Sequence, residues 1–87
     1  MEIFYSSQFA REYRSLPFGI KEKAKVKEKI FRLNPFDRRL NTHKLKGGLE
    51  GFLAFSIDFR YRIIFKFQNN KTVRFYAIGD HSLYKKL

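Results

Sequence analysis

The stretch Asp58-Phe59-Arg60-Tyr61-Arg62-Ile63-Ile64-Phe65-Lys66-Phe67 decides how the rest of the chain is read. Its residues alternate. Tyr61, Ile63, Phe65 and Phe67 fall on one side of an extended backbone, and Arg60, Arg62, Ile64 and Lys66 fall on the other. Successive side chains of a strand point to opposite faces, so the pattern predicts a strand with one apolar and one cationic face. β-branched and aromatic residues dominate it, which suits a half-buried pleated surface. Such a strand, central in a sheet, needs a cover for its aromatic side and holds a row of fixed charges toward solvent.

The elements on either side supply that cover. Glu2–Tyr5 reads as a short strand, followed by Ser6 and Ser7, whose hydroxyls suit a helix N-cap. Phe9, Tyr13 and Leu16 recur at helical spacing, predicting a first helix from about Ser7 to Leu16, broken by Pro17 and Gly19. A second helix is expected from about Ile20 to Leu33. Ile20, Ala24, Val26, Ile30, Phe31 and Leu33 lie on one broad arc, and Lys23 and Lys27 within that arc run their stems out to water. Asn34-Pro35 ends it. Residues 35–46 read as irregular, and Gly47-Gly48 as a turn into a strand from Leu49 to Asp58. Gln68-Asn69-Asn70-Lys71 reads as a hairpin turn before a last strand from Thr72 to Ile78, with Val73, Phe75 and Ala77 inward and Arg74 and Tyr76 outward. The expected fold is α+β, in the order β-α-α-β-β-β. Two N-terminal helices pack on one face of a mostly antiparallel four-stranded sheet, and the first strand joins at an edge or beside the last.

The totals limit what such a fold can do. Eighty-seven residues make one domain, expected to span residues 1–87. Eleven Phe and five Tyr provide enough ring area for a core without disulfides or metal. The absence of cysteine excludes a thiolate nucleophile and a Cys-based zinc site, and suits a reducing, cytoplasmic location. No apolar run is long enough to span a bilayer and no secretory signal is read at the N-terminus, so no membrane partner is expected. Nineteen Lys and Arg against eight Asp and Glu give a net charge of +11 spread over both halves. A basic body of this kind favours polyanionic partners, nucleic acid first among them.

With helices on one face, the other carries Arg60, Arg62, Lys66, Arg74 and Tyr76. Two segments border it, His43-Lys44-Leu45-Lys46-Gly47 and Asp80-His81-Ser82-Leu83-Tyr84, and these hold the chain's only two histidines. RNA cleavage by the 2′-hydroxyl needs a base, an acid and cations on the phosphorane-like transition state. Imidazole, with an ordinary pKa of about 6.5, can serve as base or acid, and guanidinium is a permanently charged, planar partner for phosphate. No metal-ligand spacing is present, and no cofactor is expected. Residue types alone stop at a basic α+β domain that binds nucleic acid. A lone loop histidine is more often a surface residue than a catalytic one, and the arginines could equally be a solvated face or pair with Glu50 and Asp58.

The ordered set His43-Lys44-Leu45-Lys46-Gly47, Gly51-Phe52, Asp58 to Phe65, and Ala77-Ile78-Gly79-Asp80-His81 with Tyr84 resembles the RelE/ParE toxin superfamily of bacterial type II toxin–antitoxin systems, most closely the RelE, YoeB and YafQ branch. The resemblance implies a ribosome-dependent, metal-independent endoribonuclease. It would cut mRNA in the ribosomal A site through 2′-oxygen attack, leave a 2′,3′-cyclic phosphate, and be neutralised by a cognate acidic antitoxin. It assigns His43 as general base, His81 as general acid, Arg62 to the transition state, Tyr84 to substrate orientation, and Lys44 and Lys46 to phosphates. Arg60 and Arg74 are added as phosphate binders. Three departures bear on these roles: RelE itself lacks the histidine pair, YafQ-like members carry an aspartate where Arg60 stands, and Tyr84 stands three residues beyond His81, not directly after it as in YoeB-like members; the base and acid roles of His43 and His81 could be reversed. The alternatives are a ParE-like DNA gyrase inhibitor of the same fold, and a non-catalytic basic module binding RNA or protein.

Overall fold

The computed structural model describes residues 1–80 and Ser82. Strand β1 (Glu2–Tyr5) leads into helix α1 (Ser7–Arg14), helix α2 (Phe18–Leu33), and strands β2 (His43–Lys44), β3 (Leu53–Ser56), β4 (Arg62–Phe67) and β5 (Thr72–Gly79). Single 3-10 turns at Arg38–Leu40 and Gly47–Leu49 flank β2. The five strands form one sheet in the order β1-β5-β4-β3-β2. β1 runs parallel to β5, and the other three pairings are antiparallel. The architecture is α+β as expected, with β1 beside the last strand. The sheet has five strands and not four, because His43 and Lys44, read as irregular, pair with Ala54 and Leu53.

Local chemistry accounts for the helix ends. The Ser6 hydroxyl accepts the Phe9 N–H at 2.9 Å and donates to the Tyr76 carbonyl at 2.8 Å, so one side chain caps α1 and ties it to β5. Glu12 strengthens the tie by accepting the Ile78 N–H at 3.0 Å. α2 ends at Asn34, whose extended backbone (φ −160°, ψ 105°) is what a following proline imposes.

Both helices pack on one face of the sheet. Phe9 from α1 and Ala24 and Phe31 from α2 join Leu40, Phe55, Ile57, Ile63, Phe65, Val73, Phe75 and Ile78 in the principal core. The Phe31 ring stacks on Phe55 with centroids 4.8 Å apart and meets Phe65 and Phe75 edge-on at 4.9 and 5.4 Å, geometries that aromatic quadrupoles favour. The apolar arc of α2 is narrower than its sequence suggests, since Val26 and Leu33 are exposed. Lys23 and Lys27 do leave the arc by their stems: Lys27 donates to the Arg39 carbonyl at 3.0 Å, and Lys23 approaches Asp58 at 3.7 Å.

The last strand departs from strict alternation. Ile64 is opposite Ala77 but Phe65 is opposite Phe75, so Tyr76 is an extra residue in a β-bulge. The bulge turns Ala77 to the face away from the helices, where it meets Ala54 and Ile64, and turns Ile78 into the core. The inward reading of Ala77 is thereby corrected.

Candidate nucleic-acid interface

The bare face has a floor of three fully buried small or branched residues, Ala54, Ile64 and Ala77, with Leu45 and Phe52 packed against it. Register then fixes which other side chains share this face. His43 is opposite Ala54, and Arg62 is opposite Ser56 on one side and Gly79 on the other. Lys66 is opposite Arg74. His43, Arg62, Lys66 and Arg74 thus stand on the face that the helices leave open. His43 and Arg62 are two strands and two residues apart, or ~12 Å between α-carbons at ordinary strand spacings, with both side chains available to close the gap.

His43 is exposed on the edge strand, and its Nδ1 lies 3.0 Å from the Asn41 carbonyl oxygen. A carbonyl can only accept, so Nδ1 carries the proton and neutral His43 keeps its lone pair on Nε2. Asn41 makes this possible by adopting left-handed backbone (φ 52°), a conformation asparagine tolerates better than most residues. A neutral imidazole held in this tautomer is a proton acceptor.

Arg62 is half-buried and braced. Its Nη1 donates to the Asp58 carbonyl at 2.9 Å and the Tyr61 carbonyl at 3.3 Å. Asp58 in turn organises the β3–β4 connection, accepting the Arg60 and Tyr61 N–H groups on Oδ1 at 2.9 and 2.8 Å. Burial alone would raise the Asp58 carboxyl; the bonds from Tyr61 and Arg60 and the nearby Lys23 ammonium outweigh it and hold the group below its ordinary value. The result is a guanidinium whose position is set by the turn and not by solvent.

The remaining candidates divide. Lys44 is opposite Leu53, which packs toward the principal core, so register sets Lys44 on the helix side of the edge strand. Lys46 is exposed just before Gly47, whose φ of 73° turns the chain. His43, Lys44, Leu45, Lys46 and Leu49 line a shallow depression of about 460 Å³. Arg60 sits in the β3–β4 connection, 5.6 Å above the Tyr61 ring and 3.8 Å from the Asp80 carboxylate, so its charge is already partly matched. Asp80 also accepts the Ser82 N–H and hydroxyl. Arg74 is exposed and lies 5.6 Å over the Tyr76 ring. His81 and Tyr84 lie outside the described residues. Among the described residues no group of three or more His, Cys, Asp or Glu is placed to hold a metal ion.

Sequence reasoning gave no role to Asn41, whose carbonyl sets the His43 tautomer, or to Phe52, which covers the floor. Asn41 could have been suspected from its place before a histidine in a turn-rich segment. Phe52 shares the alternating side of Ala54 and Ser56 in the strand expected over Leu49 to Asp58, where a ring is out of keeping with a solvated face.

No protein-family model matches this sequence, and no curated protein does. Solved structures do match. YafQ from E. coli strain BL21(DE3) superimposes with a TM-score of 0.78 at 22% identity, over 95% of this chain and 96% of that one. A YoeB/ParE toxin from Agrobacterium tumefaciens also gives 0.78, at 15% identity over 93% and 99%. The chain has the RelE/YoeB toxin fold. An archaeal RelE in complex with RelB, from Pyrococcus horikoshii OT3, extends the likeness to a third branch, with a TM-score of 0.72 at 17% identity over 91% and 92%. No helix among the described residues is long and apolar enough to cross a membrane.

Proposed function

We propose that this protein is a toxin of a type II toxin–antitoxin system, in the RelE/YoeB/YafQ branch, and that it cleaves mRNA in the ribosomal A site. The observation that carries the proposal is the presence of His43, with its Nδ1 held at the Asn41 carbonyl, on the same bare, cationic face as the braced Arg62. The shared fold agrees with it. In this reading Nε2 of His43 takes the proton from the 2′-hydroxyl. The 2′-oxygen attacks the adjacent phosphorus, and Arg62 stabilises the charge that gathers on the non-bridging oxygens. His81 gives a proton to the departing 5′-oxygen, leaving a 2′,3′-cyclic phosphate. Lys46 steadies the RNA backbone and Tyr84 orients the substrate. Lys44 and Arg60 have smaller parts, because one stands on the helix side and the other faces Asp80. The partner that restrains the activity is an acidic antitoxin, as RelB partners RelE in the archaeal complex.

The test is induction in cells followed by mapping of mRNA 5′ ends, with Arg62→Ala and His81→Ala in parallel. Codon-spaced cuts that vanish in both variants support the proposal. DNA damage with intact mRNA points instead to gyrase poisoning, and absence of growth arrest to a binding module.

A further inference from the structure

The bare face has a second centre, displaced from His43 and Arg62 and left unused by the chemistry above. Lys66 and Arg74 are direct cross-strand partners. Like charges in that position repel, and among the described residues neither is joined to a carboxylate. What holds them is aromatic. The Lys66 ammonium lies 4.8 Å from the Phe52 ring centroid, and the Arg74 guanidinium 5.6 Å from that of Tyr76. The two rings meet edge to face at 5.1 Å, and Phe52 packs on the Ala54, Ile64 and Ala77 floor. Gln68 reaches the Tyr76 hydroxyl at 3.4 Å. The bulge that adds Tyr76 to β5 is what brings its ring to this place.

We infer that Phe52, Lys66, Arg74 and Tyr76 form a subsite for one nucleotide of a single-stranded RNA, remote from the scissile bond. A phosphate between Lys66 and Arg74 relieves their repulsion. A base stacks on the guanidinium of Arg74 and the ring of Tyr76 beneath it. Interleaved cations and rings suit a polynucleotide, whose phosphates and flat bases alternate; an acidic peptide offers the charge without the flat surface. Arg62 and Lys66 are four residues apart on one strand, or ~13 Å, too far for one phosphate to bridge, so the subsite holds a neighbouring part of the same strand. The inference deepens the nuclease reading and rests on it for the choice of RNA.

Fluorescence anisotropy with a labelled octauridylate, across a salt series, tests the subsite. Replacing both cations (Lys66→Gln with Arg74→Gln) removes one phosphate contact and should lower the slope of log affinity against log salt by about 0.7. Tyr76→Leu should weaken binding roughly 5- to 150-fold through lost stacking. Thermal melting must accompany both. The double cation variant should melt no lower than the wild type, since it removes a repulsion. A lower melting temperature with unchanged RNA affinity would make the pair structural and overturn the subsite. So would loss of binding to polyglutamate with octauridylate binding intact, which would assign the patch to an acidic protein. A deoxyoligonucleotide should bind these residues about as tightly as the RNA, since neither contact reads the 2′-hydroxyl; affinities for both strands unchanged by the substitutions would overturn the subsite. The decision does not hang on Tyr76→Leu folding, because Lys66 and Arg74 carry no core packing. Failure here is distinct from failure of the nuclease reading: Arg62→Ala must lose cleavage whether or not this subsite exists.

Discussion

On the helix side of the sheet, Phe31, Phe55, Phe65 and Phe75 are each fully buried and touch one another ring to ring. On the other side the same central strands present Ala54, Ile64 and Ala77, with cations and a histidine around them. The two faces share one backbone, yet one holds the chain together and the other holds charge apart. Small residues on the open side let long cationic side chains stand clear of the sheet, while the quartet of Phe rings supplies the stability that those charges erode. Substitutions on the two faces should therefore separate cleanly in what they change.

The largest expected effect on stability is at the centre of the closed face. Phe31→Ala should cost about 3–5 kcal/mol in urea denaturation, a large share of what a domain of this size has. On the open face, Arg62→Ala should lower cleavage about 10²–10³-fold while ribosome binding changes much less, since charge stabilisation acts on the transition state. Equal loss of binding would make Arg62 a docking residue. His43→Ala should slow single-turnover cleavage by about 10²-fold or more, with the fold's melting temperature unchanged; a loss of only a few-fold would demote it to positioning. Smaller again is Ser6→Ala, which removes the cap of α1 and its bond to β5 and should cost about 0.5–2 kcal/mol.

The smallest effect is at Asp58, where the faces meet. Its folded carboxyl is held below the ordinary value. It therefore contributes stability that is complete above the unfolded value of about 4 and is lost as pH falls through the lower folded value. Asp58→Asn keeps an acceptor for the Arg60 and Tyr61 N–H groups but has no charge to titrate. Its stability should fall less steeply than that of the wild type as the pH drops below about 4, followed by denaturation at a series of pH values.

The closed face was largely legible in the sequence, because aromatic residues at period two and helical spacing in α1 and α2 are strong signals. The open face was legible in composition but not in arrangement. β2 is only two residues long, and its pairing to Ala54 and Leu53 leaves no periodic trace. The bulge at Tyr76 cannot be read from alternation, since it is the point at which alternation fails. The orientation of Lys44 depends on β2 and was lost with it. The Asn41–His43 contact joins residues two apart through a left-handed turn, and only coordinates display it.

The place of β5 in the sheet has a consequence for biosynthesis. Among the described strands β5 is the last made, yet it lies between β1 and β4, and its pairing with the first strand joins residues 70 positions apart. No earlier segment pairs with β1, so the core stays unassembled until β5 has been translated. Contacts of such long sequence separation form slowly. A chain stalled before Thr72 lacks the strand that joins β1 to β4, and β1 is left without a partner in the sheet.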